Sequence, residues 1–267
     1  MRGLPAAAVV MVVLLASSPA RAAQCEPAAG FDAWLDGFKR EAIAAGISQK
    51  TLSSAFTGVA PDAKIIGYDR NQKVFRQTFE EFSGRMISLN RLQKGGNLIK
   101  QNAALLTRIE QEFGVQGPVL VAIWGLETDF GTVVGKKEVI RSVATLAFDC
   151  RRTDMFQAQL MDALRIVERG DLRPAEMLGD WAGDFGQTQF LPSSYYKFAI
   201  DFDGDGRRDL VRSVPDVLAS TANYLKGYGW KAGQRWNEGD PNFEAIRGWN
   251  KAFRRRYRRL SRRRDRL

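Results

Sequence analysis

Residues Gly117–Gly131 read GPVLVAIWGLETDFG, and Glu127 is the first carboxylate after an almost wholly apolar run, with Asp129 close behind. Pro118 suits the first turn of a helix, where its missing N–H costs nothing. The residues after it are apolar on every face, as in a helix buried all round. Trp124 and Leu126 flank the acid on both sides. A carboxylate stripped of water favours its neutral form. Two readings follow. Glu127 is either a helix-end acid without chemistry or a proton donor held in an apolar setting. Gly125 removes side-chain bulk beside it, for the close approach of a ligand or another segment, or as a packing glycine.

Outward from this stretch the chain reads as helix after helix. Phe31, Trp34, Leu35 and Phe38 form one stripe, and Val74, Phe75, Thr78, Phe79, Phe82 and Met86 a second. Leu98, Leu105, Ile109 and Phe113 mark a third, ended by Gly114. Phe156, Leu160, Leu164 and Val167 mark another, closed near Gly170. Val214, Val217, Leu218, Thr221, Tyr224 and Leu225 mark the last, with Pro215 in its first turn. Alternating strand patterns are scarce, and a small hairpin within Gly131–Ile140 is the single β expectation. The fold class is mainly α. No internal repeat or Pro/Gly/Ser-rich linker divides the body.

The chain has 267 residues, 45% of them hydrophobic, and no histidine. Ser-His-Asp and Cys-His catalysis and His-containing zinc sites are thereby excluded. Arg2, the apolar run Ala6–Ala16 and the Ala20-Arg21-Ala22 cleavage pattern make residues 1–22 a signal peptide. A uncleaved anchor is the lesser reading. Later runs fall short of membrane-spanning length, so the mature chain is expected to have no transmembrane segment. Cys25 and Cys150, in an exported protein, are expected to pair; two free thiols are the alternative. The net charge is +10, yet ten basic residues and one acid fall between Lys251 and Leu267. The body, 23–250, is therefore nearly neutral, which argues against a nucleic-acid partner. The tail, 251–267, has three readings: a solvated appendage drawn to anionic surfaces, a nucleic-acid binder, or a shifted end of the reading frame.

Two loops carry further signal. GDWAGDFGQTQFLPSSYYKF, Gly179–Phe198, combines glycines, aromatics and amides, suited to a sugar-binding groove or to a self-packed surface loop. DFDGDGRRDL places Asp201, Asp203 and Asp205 at positions 1, 3 and 5 of an EF-hand-like loop, with Gly206 at position 6. Position 12 is Arg212 where a bidentate glutamate belongs, so Asp209 or Asp216 would have to substitute. A structural calcium and a metal-free turn are both open.

WGLETDFG, WAGDFGQTQFLPSSY, DFDGDGRRDL and ASTANYLKGYGW, in this order, resemble the lytic murein transglycosylase B family, glycoside hydrolase family 103. The likeness runs from Phe31 to Trp230. It implies a lysozyme-like, goose-type-like helical core with additional N-terminal helices. It also implies a periplasmic monomer that acts on peptidoglycan glycan strands and requires no cofactor. The implied reaction cleaves the MurNAc-β-1,4-GlcNAc bond and leaves 1,6-anhydro-MurNAc, with Glu127 as acid and then base. By motif position Gln189, Tyr224 and Asn250 would contact sugar. Asp180 stands where members often carry a small residue, and Arg255 where they carry a tyrosine. A non-catalytic peptidoglycan-binding protein and a hydrolytic muramidase are the alternatives.

Overall fold

A computed structural model describes residues 30–71, 84 and 86–234. The leader 1–22, Cys25, the Val74–Phe82 stripe, Asn250 and the Arg-rich tail lie outside the described residues. Within them the helices are α1 (Gly30–Ala44), α2 (Gln49–Ala55), α3 (Ala63–Arg70), α4 (Leu89–Gln101), α5 (Ala103–Phe113), α6 (Gly117–Thr128), α7 (Val139–Phe148), α8 (Thr153–Glu168), α9 (Pro192–Phe198) and α10 (Val214–Gly227).

Helix α6 is the hub. Val119, Leu120, Val121, Ile123 and Trp124 are buried against α4, α5 and α10. Each such side chain contributes about 1.5–3 kcal/mol by leaving water. Helix α7 is buried almost throughout, from Val139 to Phe148, and packs on α8, β1 and α3. The amphipathic α8 lays Phe156, Leu160, Ala163 and Leu164 onto α2, α7 and α9. Ser48, Asp62, Ser88 and Ser213 cap their helices by accepting backbone N–H bonds.

Several elements depart from the periodic reading. The one helix expected through Leu98 and Phe113 is two, α4 and α5. Asn102 breaks it by turning its Nδ2 back onto Leu98 O at 2.9 Å, a bond that competes with the helical ladder. Pro192-Ser-Ser, read within the Gly179–Phe198 loop, instead opens α9, with proline in its first turn. The β element is an antiparallel ladder in which β1 (Lys137–Glu138) pairs with β2 (Leu178–Gly179), a partner far along the chain.

Charged pairs close the α3 side. Asp69, 2% exposed, pairs with both Arg151 and Arg152, and buried Asp149 takes Arg70 Nη2 at 2.8 Å. These bonds tie α3 to the connection between α7 and α8.

Candidate active site

Glu127 lies in the last turn of α6 and is half-buried. Its surroundings are apolar on one side only. Trp124 is 4% exposed, whereas Leu126 is 42% exposed. The expected enclosure between two apolar neighbours is corrected accordingly, because residues two apart on a helix point to different faces.

After Glu127 the backbone takes three consecutive positive φ angles: Asp129 at 51°, Phe130 at 60° and Gly131 at 81°. Left-handed conformations are costly for the first two. The turn is held by what it touches. Phe130 packs edge-on against Trp124, with centroids 5.6 Å apart, and beneath Lys94 Nζ at 5.0 Å. A methyl on Gly125 would meet Phe130 Cζ at 2.7 Å. Gly125 is thus a packing glycine, and its partner is the chain's own turn. Asp129 bonds Arg91 Nε at 3.2 Å, and this bond foremost lowers its pKa. Asp129 is a helix-end charge tied to Arg91 and Lys94 of α4.

Loop Gly179–Phe190 docks on this turn through Gln187. Gln187 Oε1 accepts the Trp124 indole N–H at 2.8 Å, and its Nε2 donates to Val211 O at 3.0 Å. Thr128 Oγ1 donates to Gln187 O at 2.5 Å and accepts Gly131 N–H at 2.9 Å. Sequence reasoning missed Gln187 as the clamp. No local signal separates it from Gln189, because both are amides of one glycine-rich loop and only their distant partners differ. Here Gln189 takes φ 50°, and the two amides serve different partners. Gln189 Nε2 donates to Gly186 O at 2.8 Å and Val134 O at 3.2 Å. Its Oε1 makes no hydrogen bond among the described residues.

Asp184 is a second carboxyl that sequence reasoning did not single out. Desolvation, then the charges of Asp180 and Glu127, push its pKa up to about 7. Glu127 and the loop are therefore close enough to sense each other's charge. Asp180 is exposed, and its Oδ1 accepts Trp181 N–H at 2.7 Å. Tyr224, 5% exposed, lies in an aromatic cluster with Phe190, Phe198 and Tyr228, at centroid distances of 5.5, 5.1 and 4.6 Å. It supports the loop through Phe190, the residue after Gln189.

In the EF-hand-like loop, carboxylate oxygens of Asp201, Asp203 and Asp216 lie within 4.8 Å of one another. Asp216 fills the gap left at position 12, while Arg212 turns away to Asp209 and Glu176, at 2.8 and 2.9 Å. Asp205 is not among the three. Its Oδ1 takes Arg207 N–H at 2.8 Å. Asp201 Oδ1 accepts Gly204 N–H at 2.8 Å, so the turn also holds itself. Burial foremost raises the pKa of Asp216, and the charge of Asp203 adds to it in the same direction. This donor set fits a hard divalent cation such as calcium.

A helical body built around one buried helix, with a small β ladder and a glycine-rich loop docked on that helix's end, is the lysozyme-like architecture of lytic transglycosylases. The solved chain of SltB3 from Pseudomonas aeruginosa, in complex with NAG-anhNAM-pentapeptide, shares it at TM-score 0.74 and 43% identity, over 77% of this chain and 55% of that one. The Escherichia coli lytic transglycosylase Slt35, solved in complex with calcium, matches at TM-score 0.68 and 29% identity, over 77% of this chain and 64% of that one. Residues 30–241 match the Transglycosylase SLT domain family, and the chain belongs to it. Membrane-bound lytic murein transglycosylase B of E. coli K12 is 36% identical over 152 residues, 57% of this chain and 42% of that protein. The chain thus spans about half the length of these relatives.

Proposed function

We propose that this chain is an exported lytic transglycosylase that cleaves the MurNAc-β-1,4-GlcNAc bond of peptidoglycan and leaves 1,6-anhydro-MurNAc. The observation that carries the reading is the position of Glu127. It closes the buried helix and shares an electrostatic environment with the Gly179–Phe190 loop, in a family with a member solved on NAG-anhNAM-pentapeptide. Glu127 donates its proton to the leaving glycosidic oxygen while the substrate's own N-acetyl oxygen supports C1. The resulting carboxylate then takes the proton from the 6-hydroxyl as that oxygen attacks C1. One group serves both steps, and no water is consumed. Gln189 offers Oε1 to a sugar N–H or O–H. Tyr224 backs the loop, Asp180 lines its open edge, and Asn250 is carried only by its motif position.

The further parts of the reading are proposals of the same standing. Residues 1–22 direct export to the periplasm, 23–250 form one catalytic unit, and 251–267 form a separate basic tail. The chain acts as a monomer. Cys25 and Cys150 are joined, in keeping with the absence of a free cysteine among the described residues. Asp201, Asp203 and Asp216 hold a calcium ion that stiffens the loop before α10 and takes no part in the chemistry.

A hydrolytic outcome has one observation in its favour. Asp184 is a second carboxyl close enough to Glu127 to sense its charge, and a hydrolytic pathway employs two carboxyl groups. Mass spectrometry of digested peptidoglycan separates the outcomes. Anhydro ends support the proposal, reducing ends support hydrolysis, and no release supports a binding protein. Glu127→Gln is expected to abolish release while retaining glycan binding.

A further inference from the structure

Beside the acidic edge of the Gly179–Phe190 loop lies a constellation that the proposed reaction does not use. Tyr68 of α3 is 47% exposed. Its ring stands 6.5 Å from that of Trp181, tilted by 41°. Lys137 Nζ sits 5.6 Å above the Tyr68 ring. Lys137 faces Gly179 in the β1–β2 register, so the ladder brings its backbone beside the start of the segment that carries Asp180 and Trp181. The Trp181 backbone is fixed by its N–H bond to Asp180 Oδ1, at 2.7 Å.

Lys137 is half-buried, yet it has no carboxylate partner among the described residues. The acid next to it, Glu138, pairs with Arg141 instead. A partly desolvated ammonium parked on an aromatic face gains about 0.5–2 kcal/mol there. Much more becomes available if a carboxylate reaches it. The exposed Tyr68 ring and the half-buried Trp181 ring together offer an apolar edge of the kind that accompanies a pyranose. Asp180 is exposed to screening by solvent, and its Oδ1 is turned to the Trp181 amide.

We propose that Lys137, Tyr68 and Trp181 form a subsite for a carboxylate borne on the muramoyl side of the glycan strand, with the ammonium receiving the carboxylate and the rings covering the adjoining sugar or peptide. This rests on the glycan-cleaving reading above. The carboxylate has two sources, the stem peptide and the lactyl group of a muramoyl residue without peptide.

The test is calorimetric titration of full-length Glu127→Gln protein, with and without Lys137→Gln. Three oligomer sets are used: strands with intact stem peptides, amidase-stripped strands that keep the lactyl carboxylate, and neutral chitooligosaccharides. Lys137→Gln is expected to weaken one or both carboxylate-bearing sets by about tenfold relative to the neutral set, the scale of one charge-assisted bond. Which set responds identifies the source. Lys137→Arg is expected to restore the preference, and Tyr68→Ala to weaken it. An unchanged preference, or an equal loss on neutral oligomers, overturns the proposal. Failure of the underlying reading appears separately, as wild-type protein that releases no fragment from peptidoglycan.

Discussion

Gly131→Ala tests whether the turn after Glu127 and the Gln187 clamp are one mechanical unit. Gly131 has φ 81°, and a methyl there would lie 2.8 Å from Gln187 Cδ and overlap its Oε1. Two costs add. An L-residue forced into the left-handed region loses about 1–2 kcal/mol. Displacing Gln187 Oε1 breaks its 2.8 Å bond with Trp124 Nε1 and strands a buried indole N–H, for about 1–3 kcal/mol more. The sum, about 2–5 kcal/mol, corresponds to a fall in Tm of roughly 5–15 °C for a unit of this size. Gly46→Ala is the matched control. Its φ is 92°, but a methyl there meets nothing within 4 Å, so it carries the backbone cost alone. Thermal unfolding of the three proteins under one buffer condition, with muropeptide release measured below the transition, reads both effects. Gly131→Ala should unfold earlier than Gly46→Ala and lose release, because the loop carrying Gln189 is no longer anchored. Equal Tm values for the two variants would refute the clamp.

Trp124→Phe keeps one aromatic ring but removes the pyrrole half and its N–H donor to Gln187, and should cost at least about 1–3 kcal/mol in urea unfolding. Full stability would mean that the bond contributes nothing. Asp184 has a folded-state pKa of about 7 against 3.8 for the ordinary group. Its neutral form therefore stabilises the fold fully below about pH 4, and this contribution is lost as pH rises through about 7. Relative to wild type, Asp184→Asn should gain Tm steadily between about pH 4.5 and 8, and a pH-independent difference would contradict the assignment. Glu176, held down to about 2 foremost by its bond with Arg173, works in the opposite sense. Its contribution is present above about pH 4.5 and lost as pH falls toward 2, so Glu176→Gln should flatten the acid side of the stability curve. Adding calcium should raise Tm in wild type, and Asp216→Asn should abolish that rise. An equal rise in both proteins would place the ion elsewhere.

Much of the architecture is legible in local pattern. Pro118 and Gly114 bound their helices as their backbone preferences require, and the stripes through Phe156 and Val217 match α8 and α10. The acidic loop announces itself because its donors are close in sequence. What local pattern could not supply is the choice among partners. Gly125 had two readings until Phe130 was found against it, and Gln187 and Gln189 were indistinguishable amides until one met Trp124 and the other Val134. Likewise, β1 looked like half of a local hairpin, because nothing in Lys137–Glu138 encodes a partner at Leu178–Gly179.

By itself, then, the sequence determined the mainly helical class, the helices marked by long apolar stripes such as α1, α8 and α10, the acid at the close of the buried helix and the absence of any histidine chemistry. These follow from periodicity and side-chain chemistry within a few residues. Only the tertiary structure decided that Leu126 faces outward, that Asp184 shares the electrostatics of Glu127, and that Lys137 rests on Tyr68. Those outcomes depend on which distant segments meet, and on how much water each meeting excludes, neither of which is a property of any short stretch of chain.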